Sequence, residues 1–171
     1  MRHIALLLAA FFLSSCSMLG MNSRGDAAAG ATSPDARIMV DIAQADLAEI
    51  TTGKMALSKA QSAEVRQYAQ HMIDEHTRMQ SEGGALAKAK GMPLPSAPDA
   101  RRQAAAKKLE ALSGESFDRA YMQQMVTDHS ETLQLVQRAA AEAKDPELRA
   151  HAQKAIPHVR QHLEMAQRLA R

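Results

Sequence analysis

Four long segments of the chain carry apolar residues at the spacing of an α-helix, and residues that begin or end helices bound each segment. The long segments cover about residues 34–60, 63–90, 116–143 and 146–170. A serine or aspartate stands before a proline at Ser33-Pro34 and at Asp145-Pro146. This is a capping side chain followed by a residue that suits the first helical position. The spacing and the caps predict four long helices.

The region between the second and third long segments predicts a crossover rather than a tight turn. Gly91 ends the second segment, and Pro93, Pro95 and Pro98 exclude a helix from the residues that follow. A short helix is expected over about residues 99–112, before a break at Ser113-Gly114. The predicted fold is therefore all-α, with two helical hairpins joined by a long crossover that contains a short helix.

Composition and a weak internal repeat favour the same fold. Aromatic residues make up only 3% of the chain, with no Trp, which argues against a β-sandwich or barrel. Shifting residues 46–87 by 83 positions matches nine of 42 residues and aligns one predicted hairpin with the other. Two hairpins that bury their apolar faces against each other across a long connection predict a ferritin-like four-helix bundle over residues 34–171.

The N-terminal residues are typical of an export signal. A short basic start precedes ten apolar residues at positions 4–13, which is too short a run to span a bilayer. Leu13-Ser14-Ser15-Cys16 resembles the bacterial lipobox, which implies cleavage after residue 15 and lipidation of Cys16. By resemblance to other bacterial lipoproteins, Ser17 after the cysteine implies the outer membrane, with the domain facing the periplasm. The alternative is an ordinary signal peptide with an incidental cysteine, giving a soluble periplasmic protein.

Charge and the residues that follow Cys16 limit the partners of the exported chain. Residues 16–33 contain three glycines and no periodic apolar pattern, as expected of a flexible tether. The formal net charge of the whole chain is +2, without a clustered basic face, so nucleic acid is not an expected partner. The membrane, through the lipid anchor, is the expected partner, and the sequence identifies no protein partner.

Histidines on three different helices are the candidate functional residues. His76, His129 and His162 lie on or beside the apolar stripes of their segments, and Glu49 is the acid nearest the stripe of the first segment. Imidazole binds Zn, Cu and Fe, so these four residues are candidate metal ligands. The alternative is a hydrogen-bonded polar network in the core. His158, four residues before His162, is a candidate peripheral residue.

Short motifs with a shared pattern occur in all four long segments. The motifs are Ala48-Glu49-Ile50, Val65-x-x-Tyr68-Ala69-x-x-Met72-x-x-x-His76, Gly114-x-x-Phe117-Asp118-x-Ala120-Tyr121, Met125-Val126-x-Asp128-His129 and Ile156-Pro157-x-x-x-x-His162. In this order they resemble the bacterial Domain of Unknown Function 4142 family, and the resemblance implies a secreted, ferritin-like four-helix bundle without a settled activity. It also implies functional positions at Glu49, His76, Asp128, His129 and His162. By helix geometry Asp128 points about 100° away from His129, so it either orients a histidine of a neighbouring helix or faces water.

The pattern departs from that of di-iron bundles, which use two Glu-x-x-His motifs. No Glu-x-x-His motif occurs in this chain, so a ferroxidase centre is not expected. The chain also has no Gly-x-Ser-x-Gly motif and no Gly-rich phosphate loop. Two hypotheses follow: a tethered bundle that binds a transition metal (Cu, Zn or Fe) without catalytic turnover, or a structural or partner-binding envelope bundle.

Overall fold

The computed structural model describes residues 33–171, and this part of the chain forms five helices and no strand. The helices are α1 (Pro34–Lys59), α2 (Ala63–Ala89), α3 (Ala100–Glu110), α4 (Gly114–Glu142) and α5 (Pro146–Leu169). The predicted all-α class is confirmed, and the predicted boundaries agree to within about two residues. The predicted signal peptide, its lipobox at Cys16 and most of the tether lie outside the described residues.

The side chains predicted to cap the helices do so. The Ser33 hydroxyl accepts a hydrogen bond from the Ala36 amide at 3.1 Å, and the Asp145 carboxylate accepts one from the Leu148 amide at 3.1 Å. Each side chain satisfies an amide that the first turn of a helix leaves without an intrahelical partner.

Gly91 ends α2 in the left-handed conformation, with φ of 64°. The Met92 amide donates to the Ala87 carbonyl at 2.9 Å, and the Gly91 amide donates to the Lys88 carbonyl at 3.2 Å. This pair of bonds is a Schellman motif, which a glycine completes without steric cost. The motif directs the chain into the crossover at the predicted residue.

The long helices pack as two hairpins, α1 with α2 and α4 with α5. The hairpins meet where α1 packs against α4 and α2 against α5, while α3 packs mainly against α1 and also contacts α4. The largest fully buried side chains include Tyr68, Phe117 and Tyr121, together with four methionines. The three aromatic side chains pack in one cluster with Met72, Met122 and Met125, whereas Met39 packs in another. Flexible thioethers thus fill the space around the aromatic rings.

Each hairpin carries one buried aspartate that accepts hydrogen bonds from the turn of the other hairpin. Asp118 on α4 accepts hydrogen bonds at 3.0 and 2.8 Å from the amides of residues 61–62, between α1 and α2. Asp35 on α1 accepts bonds at 3.1 and 2.7 Å from the amides of residues 144–145, between α4 and α5. The two aspartates are 83 residues apart in the sequence, and so are the two pairs of turn amides that they bind. The weak repeat in the sequence therefore corresponds to a repeated structural device.

The inward face of α1 differs from the one that its largest apolar residues predict. Leu57 is a large apolar residue of this helix but is 38% exposed, whereas Asp46, Glu49 and Thr52 are buried. The true core stripe is offset from the predicted one and carries polar residues. A method that follows apolar side chains cannot detect such a stripe.

We expect Asp118→Asn to lower the free energy of unfolding by about 1.5–3 kcal/mol, because hydrogen bonds to a charged acceptor have that value. An amide offers one acceptor oxygen where the carboxylate offers two, so one of the two turn amides loses its partner. Urea denaturation measures the change. Asp35→Asn should cost a similar amount, and the exposed Asp74→Asn should cost little. Equal effects at Asp118 and Asp74 would contradict the assigned role.

Candidate metal centre

Three histidines from three helices meet in the interior of the protein. His76 on α2, His129 on α4 and His162 on α5 are each 1% exposed. Their ring centroids form a nearly equilateral triangle with sides of 5.7, 5.3 and 5.4 Å. One ring nitrogen from each lies within 4.8 Å of those of the other two. The structure therefore brings together three of the four residues that the sequence indicated as metal ligands.

Hydrogen bonds to one nitrogen fix the orientation of two of these rings. His76 Nδ1 donates to Asp46 Oδ1 on α1 at 2.8 Å, and His129 Nδ1 donates to the Met125 carbonyl, one turn earlier on α4, at 2.9 Å. A backbone carbonyl can only accept, so Nδ1 of His129 carries the hydrogen. Nε2 of the neutral His129 ring is then a lone-pair donor, the state in which histidine binds metals.

The remaining nitrogens of the triangle have no hydrogen-bond partner. Among the described residues, His76 Nε2, His129 Nε2 and His162 Nδ1 are buried and unpaired. A buried polar atom without a partner costs about 1–3 kcal/mol. Three such atoms in one core are therefore unfavourable, and a single cation bound by all three nitrogens, with release of any proton on His76 Nε2, would remove the cost.

Burial keeps two of the three rings neutral. Burial lowers the pKa of His129 to about 3, assisted by the charge of His76. Burial lowers the pKa of His162 to about 2, with further lowering from His76 and His129. Burial also lowers the pKa of His76, but the hydrogen bond and charge of Asp46 outweigh it and the net shift is upward. At neutral pH, two lone pairs are thus available without loss of a proton.

Glu49 lies beside the triangle rather than at its centre. Its Oε1 is 3.8 Å from His129 Nδ1, which is the edge of the ring that bonds the Met125 carbonyl. Its Oε2 is buried without a partner, as are the hydroxyls of Tyr68 and Tyr121. Burial raises the pKa of Glu49 to about 8, and burial raises the pKa of both tyrosines.

Asp128 and His158 lie further from the three rings. Asp128 is half-buried and lines the same small cavity as Glu49, and burial raises its pKa. The His158 side chain is 44% exposed, and its Nδ1 is 3.3 Å from Glu75 Oε2. It borders an open cleft between α2 and α5. Neither residue belongs to the group of converging nitrogens.

Two residues at the site received no specific role from the sequence. Asp46 holds His76, and its position three residues before Glu49 places both on one helix face. His71 is half-buried, and its ring centroid is 5.3 Å from that of His162 in an edge-to-face contact. Its spacing of five residues from His76 gave no signal of this contact, since α5 supplies the partner.

Comparisons with known proteins give a family but no activity. The family described as "Domain of unknown function (DUF4142)" matches residues 21–169. The comparisons with curated proteins and with solved structures give no match. No helix within residues 33–171 has both the length and the apolar character to cross a membrane. Because the family match covers most of the sequence, the chain belongs to the DUF4142 family.

Proposed function

We propose that this protein is a lipid-anchored envelope protein whose helical domain binds one transition-metal ion between His76, His129 and His162. The observation that carries the proposal is the convergence of three buried histidines that can each place one ring nitrogen within 4.8 Å of the other two, together with one buried, unpartnered nitrogen on each ring. Buried polar atoms are normally hydrogen-bonded, so three exceptions at one point favour an ion as their common partner.

The donor set favours Zn(II) or copper over iron. Imidazoles suit all three metals, but iron sites in helical bundles use several carboxylates as ligands. The two carboxylates nearest the triangle, Asp46 and Glu49, face Nδ1 of His76 and Nδ1 of His129 and so lie outside the candidate ligand set. Zn–N bonds of about 2.0–2.1 Å in tetrahedral geometry place the nitrogens about 3.3 Å apart. Ring movements of about 1 Å would bring the present arrangement to that spacing. The His76–Asp46 bond is the carboxylate–histidine contact that orients metal ligands.

The ferritin-like arrangement is the fold that best accommodates this site. Two observations support this fold. The helices pair as α1 with α2 and α4 with α5, and a long crossover through α3 joins the two pairs. Contacts of α1 with α4 and of α2 with α5 then hold the two pairs together. Ligands from three helices of such a bundle point into one interior. No nucleophile or general acid–base pair is assigned, so the proposal is a binding protein rather than an enzyme.

The cellular location in this proposal rests on the sequence alone. Lipidation of Cys16 would hold the protein on the outer membrane, and residues 16–33 would tether residues 34–171 in the periplasm. The membrane is then the direct partner. If Cys16 is not lipidated, the same domain would be free in the periplasm.

A structural role is the second candidate function, and specific contacts favour it. His76 bonds Asp46 and His129 bonds a backbone carbonyl, so each ring is already satisfied at one nitrogen. A polar network of this kind fixes the packing of a bundle without any metal. In that case the protein would be a non-catalytic bundle that offers a surface to a partner.

Metal content and thermal stability separate the two functions. Protein without a His tag, purified from the periplasm, should contain about one equivalent of Zn or Cu by elemental analysis. After chelation, adding the metal at a hundredfold excess over Kd should stabilise the protein by about 2.7 kcal/mol, measured as a rise in Tm. No metal in the purified protein, together with an unchanged Tm for Zn(II), Cu(II) and Fe(II), would favour the structural role.

A further inference from the structure

A small cavity links the surface of the protein to the side of the metal centre. It lies between α1 and α4, beneath α3, and Glu49, Asp128, Glu131, Arg101 and Arg102 are among the residues that line it. Its volume is ≈ 10 Å³, roughly the space that a single water molecule or a bare cation needs.

The carboxylates of the cavity form a series of increasing burial. Glu131 is exposed, Asp128 is half-buried, and Glu49 is 4% exposed. Glu49 Oε2 is buried without a hydrogen-bond partner, and Oε1 of the same carboxylate is 3.8 Å from the His129 ring. The series thus leads from solvent to a histidine of the triangle and ends at an unpaired oxygen.

Two arginines of α3 cover the outer end of this series. Arg101 forms an ion pair with Glu131 at 3.0 Å, and Arg102 forms one with Asp99 at the start of α3. The Arg101–Glu131 pair is exposed and therefore weak, about 0–1 kcal/mol, so an arriving cation can displace the arginine. The two ion pairs hold the arginine side chains over the outer end of the cavity, but the exposed pair is too weak to exclude a cation.

The cleft between α2 and α5 is a larger opening, at ≈ 470 Å³, and Arg78, Glu82, His151, Lys154 and His158 are among the residues that line it. Its one lining carboxylate, Glu82, is exposed and paired with Arg78. The cleft therefore offers no series of carboxylates that leads from solvent towards the three histidines, as Glu131, Asp128 and Glu49 do in the small cavity. Size alone therefore does not identify the route.

We propose that a divalent transition-metal cation reaches the three histidines through the cavity between α1 and α4, with Asp128 and Glu49 as transient carboxylate ligands. Carboxylate oxygen binds Zn(II) and Cu(II) at about 2.0–2.2 Å and exchanges them for imidazole nitrogen. Asp128 is in this scheme a positioning residue on the route, and Arg101 is part of the cover. The inference rests on the proposed function, since it concerns the path to the same site.

Uptake kinetics of the metal-free full-length protein test the route, with Co(II) as the probe because its absorption reports tetrahedral coordination. Asp128→Asn should slow both uptake and release to a chelator by about tenfold, leaving Kd within about twofold, because a residue on the route changes both rates alike. Arg101→Gln should accelerate uptake. The matched control is Glu82→Gln, which removes the same charge from the cleft between α2 and α5.

The outcomes distinguish failure of the route from failure of the site. Normal Co(II) affinity with unchanged rates in Asp128→Asn would overturn the route and leave the metal site standing. Slower uptake in Glu82→Gln, with no effect at Asp128, would place the route between α2 and α5. Absence of any Co(II) binding by the wild type would overturn both proposals. A circular dichroism melt of each variant confirms that it is folded.

Discussion

Replacing His129 by alanine should weaken Zn(II) or Cu(II) binding by more than about a hundredfold. Loss of a residue that merely orients a ligand costs 10–100-fold in affinity, so loss of one ligand of three should cost more. His129 is the clearest test residue, because its pKa of about 3 keeps the ring neutral and its Nδ1 is fixed by the Met125 carbonyl. Competition titration against a chelator of known affinity measures the change.

The control for this variant comes from α5. His158→Ala removes an imidazole four residues before His162, but from a half-exposed position outside the group, and it should leave affinity unchanged. His71 is unsuitable, because its ring contacts His162. Asp46→Asn should lower affinity by about 10–100-fold while keeping one ion per chain.

The structural alternative gives a different pattern for the same variants. If the imidazoles form only a polar network, His129→Ala should destabilise the metal-free protein by about 1–3 kcal/mol through lost contacts, and wild-type stability should not depend on metal. His129→Ala that binds metal as tightly as the wild type would exclude this residue from the site. The two measurements, affinity and metal-free stability, therefore need to be made on each variant.

Helix boundaries were predictable from the sequence because local signals set them. Ser33 and Asp145 cap helices within three residues of themselves, and Gly91 ends α2 through bonds to the preceding turn. The inward positions of His76, His129 and His162 also follow from helical spacing on their own segments. Each of these predictions needed only residues on one helix or at its ends.

Partners on different helices could not be predicted in the same way. The turn amides that Asp118 bonds are 56 and 57 residues away, and those of Asp35 are 109 and 110 residues away. His76 and Asp46 are 30 residues apart. Periodicity indicates which side of a helix faces the core, but only the packing of hairpins decides which residue it meets.

The three histidines of the candidate site have no counterparts under the 83-residue shift. The residue 83 positions after Asp46 is His129, the one after Met79 is His162, and the one after His76 is Val159. The shift that conserves the aspartate bonds at both turns therefore does not map one histidine onto another. Each hairpin uses an aspartate to bind the turn of the other hairpin, but the two hairpins contribute different side chains to the candidate site.

Glu49→Gln should stabilise the metal-free protein by an amount that grows from near zero at pH 4.5 to roughly 3–5 kcal/mol at pH 8. Burial raises the pKa of Glu49 to about 8 in the folded protein, against 4.5 for the exposed side chain. Between these values the folded state holds a proton that the unfolded state has lost, so the stability of the wild type falls as pH rises. Glutamine has no proton to lose, and its variant avoids this fall.

Urea denaturation in the presence of a chelator, at intervals from pH 4.5 to pH 8, measures the difference between the two proteins. Other titrating groups, including His76, His129 and His162, are present in both and largely cancel. The exposed Glu82→Gln is the matched control and should show no such trend. A bound cation near Glu49 favours the ionised carboxylate, so saturating Zn(II) should reduce the advantage of glutamine at pH 8. A constant difference across the pH range would contradict the prediction, because Glu49 would then ionise at its ordinary pKa. A buried, ionised carboxylate would need a partner, and Glu49 Oε2 has none among the described residues.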